Sequence, residues 1–224
     1  SLNASAENLL RLVLQNLGLD MDAAAALSDA ILDWKDRDEE HRLNGAESDF
    51  YMKLPRPYPS KNAPFDSLEE LLLVKGVTPE LFYGGNEDFP VGLVDVFTIF
   101  NRYGTLKLRN MRPEVIRAIF NLTDEEMIEV QRMQETPESS LDILRSFLES
   151  RLADPTIGAL LETDSANVVM VEAQAKLPDA RVPARVAGVI EVEESSEGIM
   201  VLRWIDHLPV DESLVDGQTM EAVA

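Results

Sequence analysis

The sequence lacks cysteine altogether and has two histidines among its 224 residues. Without cysteine, disulfides, thiolate metal sites and a cysteine nucleophile are excluded, but the compartment stays open because many periplasmic and cytosolic proteins lack this residue. His41 and His207 lie in no recognisable nucleophile motif, and the sequence has no Gly-x-Ser-x-Gly elbow, phosphate-binding glycine-rich loop or His-Glu-x-x-His pair. No motif indicates an enzyme.

Basic residues and long apolar runs are also scarce. The chain has 20 Lys and Arg residues and 41 Asp and Glu residues, so its net charge is -21. This charge argues against nucleic acid or an anionic bilayer as a partner. No apolar run approaches the roughly 18 residues needed to cross a bilayer. What is present is a hydrophobic content of 45%, enough for a packed core. Cations or neutral protein surfaces are the better partners.

Apolar spacing and capping signals predict a helical first two thirds. Helices are predicted over residues 6–17 and 20–34, and repeated N-cap and proline signals predict a block of short helices over 66–152. From residue 168 onward the pattern changes to β-branched residues in period-two alternation. It predicts antiparallel strands over 168–177, 185–192 and 199–205, followed by a tail over 209–224 with little apolar pattern.

This order predicts an α+β fold. A three-stranded sheet needs a hydrophobic cover, and the long amphipathic helices outside the central block lie at the N-terminus. We therefore expect a discontinuous α+β domain, residues 1–64 and 153–224, with an all-α domain, residues 65–152, inserted between its halves.

The stretch from Asp33 to Val77 is the best candidate for a site. It joins acidic residues, tyrosines and four prolines in one long connection, and long connections in compact domains are usually shaped for a function. The prolines exclude a regular helix over residues 53–65. Its aromatic residues are predicted to anchor the loop or join the core rather than bind a ligand: Trp34, Phe50, Tyr51, Tyr58 and Phe65.

The acidic residues of this stretch could surround a hard cation such as calcium, which takes oxygen ligands from flexible loops. The candidates are Asp33, Asp36, Asp38, Glu40 and Glu47. The EF-hand pattern fails because His41 stands where its sharp turn requires glycine, and a solvated acidic surface is the alternative. Asn62 and Asp66 would complete such a site if the proline-rich loop folds back.

Residues 71–79 resemble a helix-hairpin-helix, in which a tight turn presents backbone amides to phosphate. The usual second glycine is absent and the chain is strongly acidic, so a packing role is favoured over DNA binding.

Several segments together resemble one known family. They are Asp33-Trp34, Asp36, Asp38, Gly45-Ala46-Glu47, Tyr51, the run PSKNAPF over 59–65, and residues 67–71 and 74–78. The combination, dense over residues 33–82, is similar to general secretion pathway protein K, the large minor pseudopilin of type II secretion systems.

The resemblance implies a pilin-like α+β domain interrupted by a helical domain. It also implies a place at the tip of a periplasmic pseudopilus with I-type and J-type minor pseudopilins, and possible contact with a secreted substrate protein. Calcium in the pilin-like part is implied as well, and we take Asp36, Asp38 and Glu47 as its carboxylate ligands. Family members are anchored in the inner membrane by an N-terminal apolar helix, which the printed residues lack.

The implied mechanism is assembly rather than chemistry. The helical insertion would block further addition above the tip. The first helix would expose an apolar face to neighbouring pseudopilins, formed by Leu9, Leu10, Val13, Leu14 and Leu17. The same leucines could instead cover the chain's own sheet.

Two other functions remain open from the sequence. One is a soluble periplasmic hydrolase that uses two acids of the 33–47 region. The other is a calcium-dependent adhesive module that binds a secreted protein without other pseudopilins.

Overall fold

A computed structural model of the chain describes residues 1–101, 103–135, 139–163, 168–175, 184–193 and 198–206. The chain divides into two compact units, Ser1–Ser165 and Ala166–Ala224. The helices of the first unit are α1 (Glu7–Asn16), α2 (Met21–Lys35), α3 (Ser48–Tyr51), α4 (Pro79–Tyr83), α5 (Leu93–Val96), α6 (Pro113–Phe120), α7 (Asp124–Gln134), α8 (Ser139–Glu149) and α9 (Pro155–Gly158). Two 3₁₀ helices, Leu68–Leu73 and Leu108–Asn110, join them.

Several of the predicted helix starts are confirmed by their caps. The Asp20 side chain accepts the Ala23 N–H at 2.8 Å, and Thr78 and Thr123 cap α4 and α7 in the same way. The Arg112-Pro113 signal begins α6, with proline in the first turn, where its missing donor costs no hydrogen bond. The four-residue helices α3, α5 and α9 are too short for a periodic pattern. Of these, α9 has a local start signal, since Asp154 caps it and Pro155 is its first residue.

The apolar face of α1 lies in the core of the first unit. Its side chains pack with those of α2 and α6, and the Asn16 amide donates to the Ala118 and Ile119 carbonyls at 3.0 and 3.3 Å. The residues of the predicted interface are 0–7% exposed: Leu9, Leu10, Val13, Leu14 and Leu17. The expectation that they are exposed is therefore wrong for this structure, because α1 uses this face to pack against its own unit. As a contact with a partner chain, the set stays a prediction.

The second unit contains a three-stranded antiparallel sheet, in which the strands lie in the order of the sequence. Its strands are β3 (Val168–Ala175), β4 (Ala184–Glu193) and β5 (Gly198–Ile205), within two residues of the predicted limits. Val169, Ile190 and Val201 lie opposite one another across it, and the register shifts between Val189 and Ile190. The α+β class with an antiparallel sheet is thus confirmed.

A second, smaller sheet lies in the first unit and was not predicted. Strands β1 (Leu106–Lys107) and β2 (Leu161–Glu162) pair in parallel. They join the segment after α9 to the segment between α5 and α6. Two-residue strands carry no alternation, so the sequence gives no sign of them.

The predicted domain limits differ from those of the compact units. Residues 1–64 and 65–152 lie together in Ser1–Ser165, and contacts such as Leu2 N–H to the Thr98 carbonyl at 2.7 Å cross the predicted boundary. The discontinuous domain of residues 1–64 and 153–224 stays a prediction. His207 and the tail over 209–224 lie outside the described residues. Within the described part, no helix has the length and apolarity required to span a bilayer.

Candidate metal centre

The last two turns of α2 carry buried carboxylates. Asp29 and Asp33 are 2% and 0% exposed, an unusual burial for a charged side chain unless it is paired. Asp29 accepts from the Arg11 guanidinium and from the Asn44 backbone N–H, both at 3.1 Å. The loop that follows α2 therefore returns along this helix and covers its acidic side chains.

Arg42 joins two of the carboxylates. Its Nη1 lies 2.6 Å from Asp33 Oδ1 and 2.5 Å from Asp36 Oδ2. Its backbone N–H also donates to Asp33 Oδ2 at 3.2 Å. A buried carboxylate needs such compensation, because an unpaired charge in the interior is costly.

Glu47 is the third buried acidic residue among the described residues of the first unit, at 1% exposure. Ser60 Oγ donates to its Oε2 at 3.0 Å. Among the described residues, Glu47 Oε1 and Asp36 Oδ1 are buried without a hydrogen-bond partner. Two carboxylates thus each have one oxygen held by a donor and one oxygen left over.

Asp33, Asp36 and Glu47 offer ligand atoms that all lie within 4.8 Å of one another. Carboxylate oxygens are the ligands that calcium prefers, and the two unpartnered oxygens are the kind of orphaned acceptors that a cation satisfies. The set fits a hard cation better than a soft one, since it contains neither sulfur nor imidazole. Arg42 already compensates part of the negative charge of these three carboxylates through its ion pairs with Asp33 and Asp36.

The proline-rich loop folds back onto the end of α2. Asn62, at a positive φ of 50°, donates its backbone N–H to the Trp34 carbonyl at 3.0 Å and its amide to Glu39 at 2.8 Å. This brings Ser60 against Glu47. Asp66, the other residue predicted to complete the site, instead pairs with Lys61 at 2.7 Å.

Aromatic residues hold this loop in place, as the sequence indicates. Trp34 and Tyr51 are almost fully buried and meet edge to face with ring centroids 5.2 Å apart. Tyr58 stacks on Tyr51 at 5.4 Å and donates its hydroxyl to the Leu73 carbonyl at 2.9 Å. Phe50 packs beside Tyr51, with the Lys75 ammonium 5.2 Å from its ring centroid.

Burial raises the pKa of the Glu47 carboxyl from 4.5 to about 7, and the charges of Asp33, Asp36 and Glu39 act in the same direction, against the Ser60 hydrogen bond. A chain of short contacts runs from Glu47 through Ser60 and Ser48 to Glu39, with oxygen separations of 3.0, 2.8 and 2.9 Å. The Ser60 and Ser48 hydroxyls thus link the buried Glu47 carboxylate to the exposed carboxylate of Glu39.

The structure brings two of the three predicted ligands together. Asp36 and Glu47 lie in the cluster, whereas Asp38 is exposed and its Oδ1 accepts the Glu40 N–H at 2.9 Å. Asp33 takes the third place. The available signal was its position on the apolar face of α2, next to buried Trp34 and one turn before Asp36.

A cleft of about 230 Å³ lies away from these carboxylates, beside α1 and α6. Its charged lining residues are Glu114 and Arg117.

The 71–79 hairpin, which the sequence predicts to be a packing element, places Leu71 and Val74 in the core at 0% and 3% exposure.

Comparison with known proteins shows what the chain is similar to. Residues 1–83 match the family described as "Type II secretion system (T2SS), protein K". Over 74 residues the chain is 39% identical to type II secretion system protein K of Pectobacterium carotovorum subsp. carotovorum, and over 70 residues it is 37% identical to that of Klebsiella pneumoniae. These matches cover 33% and 31% of this chain, and 23% and 22% of the relatives.

A solved structure has the same fold. One chain of the crystal structure of the GspK-GspI-GspJ complex from the enterotoxigenic Escherichia coli type 2 secretion system superposes with a TM-score of 0.69 at 15% identity. The superposition covers 93% of this chain and 76% of that chain. The residues of the candidate metal centre lie within the region 1–83 that matches the family. These comparisons confirm that this chain is similar to protein K of type II secretion systems, as the motifs over residues 33–82 indicate.

Proposed function

We propose that this protein is a structural minor pseudopilin at the tip of a type II secretion pseudopilus. In this role it assembles with I-type and J-type minor pseudopilins in the periplasm, caps the tip and initiates assembly for protein export. An N-terminal membrane helix upstream of the printed residues would anchor it. The strongest support is the family match of residues 1–83 together with a fold shared over 93% of the chain with one chain of the GspK-GspI-GspJ complex.

The first unit supplies the bulk that a cap needs. Its helices share one continuous hydrophobic core, which extends from Leu2 to Leu161. A closely packed body of this kind is rigid, so it can obstruct the addition of another subunit by volume alone. This role requires no bond to be made or broken, and we infer that the protein is not an enzyme.

Calcium is the second part of the proposal. Asp33, Asp36 and Glu47 would hold the ion, which would supply charge compensation that Arg42 gives only in part. Binding would stabilise the folded state by mass action, since the unfolded chain does not hold these residues together. The ion would thereby fix the 36–47 loop against the proline-rich loop, on the surface where Leu43 is 94% exposed.

The decisive experiment mixes the chain with purified I-type and J-type pseudopilins and measures mass by size-exclusion chromatography with light scattering. We expect one heterotrimeric species, in calcium and at reduced yield in chelator. Three separate peaks under both conditions would contradict the assembly role.

Two controls separate the alternatives. A hydrolase would turn over some member of a panel of glycoside and ester substrates and would lose this activity when Glu47 is changed to Gln. A structural protein would turn over none of these substrates. An adhesive module would bind a secreted protein without the two partner pseudopilins. We expect neither result.

A further inference from the structure

Ser60 lies at the point where the proline-rich loop meets the metal centre. Its side chain is 6% exposed, and its hydroxyl donates to Glu47 Oε2 at 3.0 Å. Glu47 is itself 1% exposed, and its other oxygen, Oε1, has no partner among the described residues. The hydroxyl therefore occupies one oxygen of a buried carboxylate and leaves the other free for a ligand.

We propose that Ser60 is a positioning residue of this centre: its hydroxyl fixes the Glu47 carboxylate so that Oε1 is presented to a bound divalent cation. The inference rests on the proposed calcium site. Ser60 would not touch the ion. It would act as outer partners of metal ligands generally do, by orienting a ligand before the ion arrives.

Ser60 is itself held on two sides. Its backbone N–H donates to Ser48 Oγ at 3.1 Å, and the two hydroxyl oxygens are 2.8 Å apart. Two residues later, the Asn62 N–H donates to the carbonyl of Trp34, which neighbours Asp33. The loop is thus pinned to the same end of α2 that supplies the other two carboxylates.

Without this donor, neither oxygen of Glu47 would have a hydrogen-bond partner among the described residues, and the orientation of the carboxylate would be less restricted. Ordering it would then cost conformational entropy at the moment the ion binds, and affinity would fall. Asp33 differs in this respect, because Arg42 already holds both of its oxygens through the guanidinium and the backbone N–H. Among the three ligands, Glu47 is the one that depends on a neutral donor from a separate loop.

The test compares the calcium affinity of the whole chain with that of three variants by isothermal titration calorimetry. Ser60→Ala removes the hydroxyl, and Ser60→Thr keeps it. Ser28→Ala is the matched control, because Ser28 is 0% exposed in the same unit and its hydroxyl has no partner among the described residues. We expect Ser60→Ala to bind calcium at least about 10-fold more weakly, as changes to outer partners of metal sites do, with Ser60→Thr and Ser28→Ala close to wild type.

Two results would overturn the inference. In one, Ser60→Ala binds calcium as tightly as Ser28→Ala. In the other, folded Ser60→Thr is as weak as Ser60→Ala, so the hydroxyl is not the cause. Should Ser60→Ala unfold in chelator, the calcium concentration that refolds it gives the same comparison. Failure of the wild type to bind calcium would instead remove the proposed site itself, and Ser60 with it.

Discussion

Gly45 lies so close to Asp33 that a Cβ atom at position 45 would stand 1.8 Å from Asp33 Oδ2. The loop after α2 can approach the buried carboxylate only because residue 45 has no side chain. Asp33 cannot move aside, since it is 0% exposed and both its oxygens are hydrogen-bonded to Arg42. The Gly-Ala-Glu segment is therefore shaped by contact with α2 rather than by a turn that requires positive φ.

Gly45→Ala should lower the free energy of unfolding by about 1–3 kcal/mol, the usual cost of forcing an extra carbon into a packed site. Urea denaturation in chelator measures it. Gly158→Ala is the control, because its new Cβ would meet Glu149 Cγ at 3.2 Å, part of a flexible side chain that can yield. Equal stability of the two variants would contradict the close approach of Gly45 to Asp33.

Arg42→Gln should destabilise the first unit by about 3–5 kcal/mol in chelator, since removing one partner of a buried ion pair leaves an uncompensated charge at Asp33. Added calcium should restore part of the loss. Thermal unfolding with and without calcium measures both effects. Arg37→Gln removes the same charge from an exposed side chain next to the cluster and should change stability little. If both variants unfold alike, Arg42 does not compensate Asp33.

Glu47 should make stability fall as pH rises from about 4.5 to 7 in chelator. Its pKa is raised to about 7 in the folded protein from 4.5, so over this range the folded state binds more protons than the unfolded state. The difference is worth up to roughly 3 kcal/mol at pH 8. Glu47→Gln should remove this dependence, whereas Glu40→Gln, at an exposed position with the same charge change, should retain it. Urea denaturation at pH 5, 6, 7 and 8 provides the measurement.

Asp36→Asn should weaken calcium binding at least about 10-fold, because an amide replaces one of three carboxylate ligands. Asp38→Asn should leave the affinity near that of the wild type, since Asp38 lies outside the cluster. Calorimetric titration of both variants with calcium measures the two affinities. Each variant is the charge-matched control of the other. A larger loss in Asp38→Asn would favour the ligand set predicted from the sequence.

Leu10→Ala should cost about 2–5 kcal/mol of stability, since the side chain is 0% exposed and the change leaves a cavity. Leu43→Ala, at 94% exposure, is the control. Denaturation of the isolated chain measures the effect before any partner is added. Normal stability together with loss of assembly with the I-type and J-type pseudopilins would show instead that α1 uses this face for a partner.

The sequence by itself determined the longer helices and strands and the class of the fold. Capping residues such as Asp20 and Thr123 and the alternation in β4 act over a few neighbouring positions, so their effect is visible in the chain. The acidic loop was also visible as a candidate site, since its carboxylates, prolines and tyrosines lie within 45 residues. These are local properties, and local patterns report them.

Only the tertiary structure decided which oxygens come together and which leucines are exposed. Asp38 has the same side chain as Asp33 and lies two residues from Asp36, but the return of the 42–47 loop along α2 buries Asp33 and leaves Asp38 in solvent. Likewise, the apolar face of α1 has the same spacing whether it packs on a partner or on α2. Burial depends on contacts between residues far apart in the chain. A local pattern predicts that an apolar face is buried, but it does not identify the residues that pack against that face.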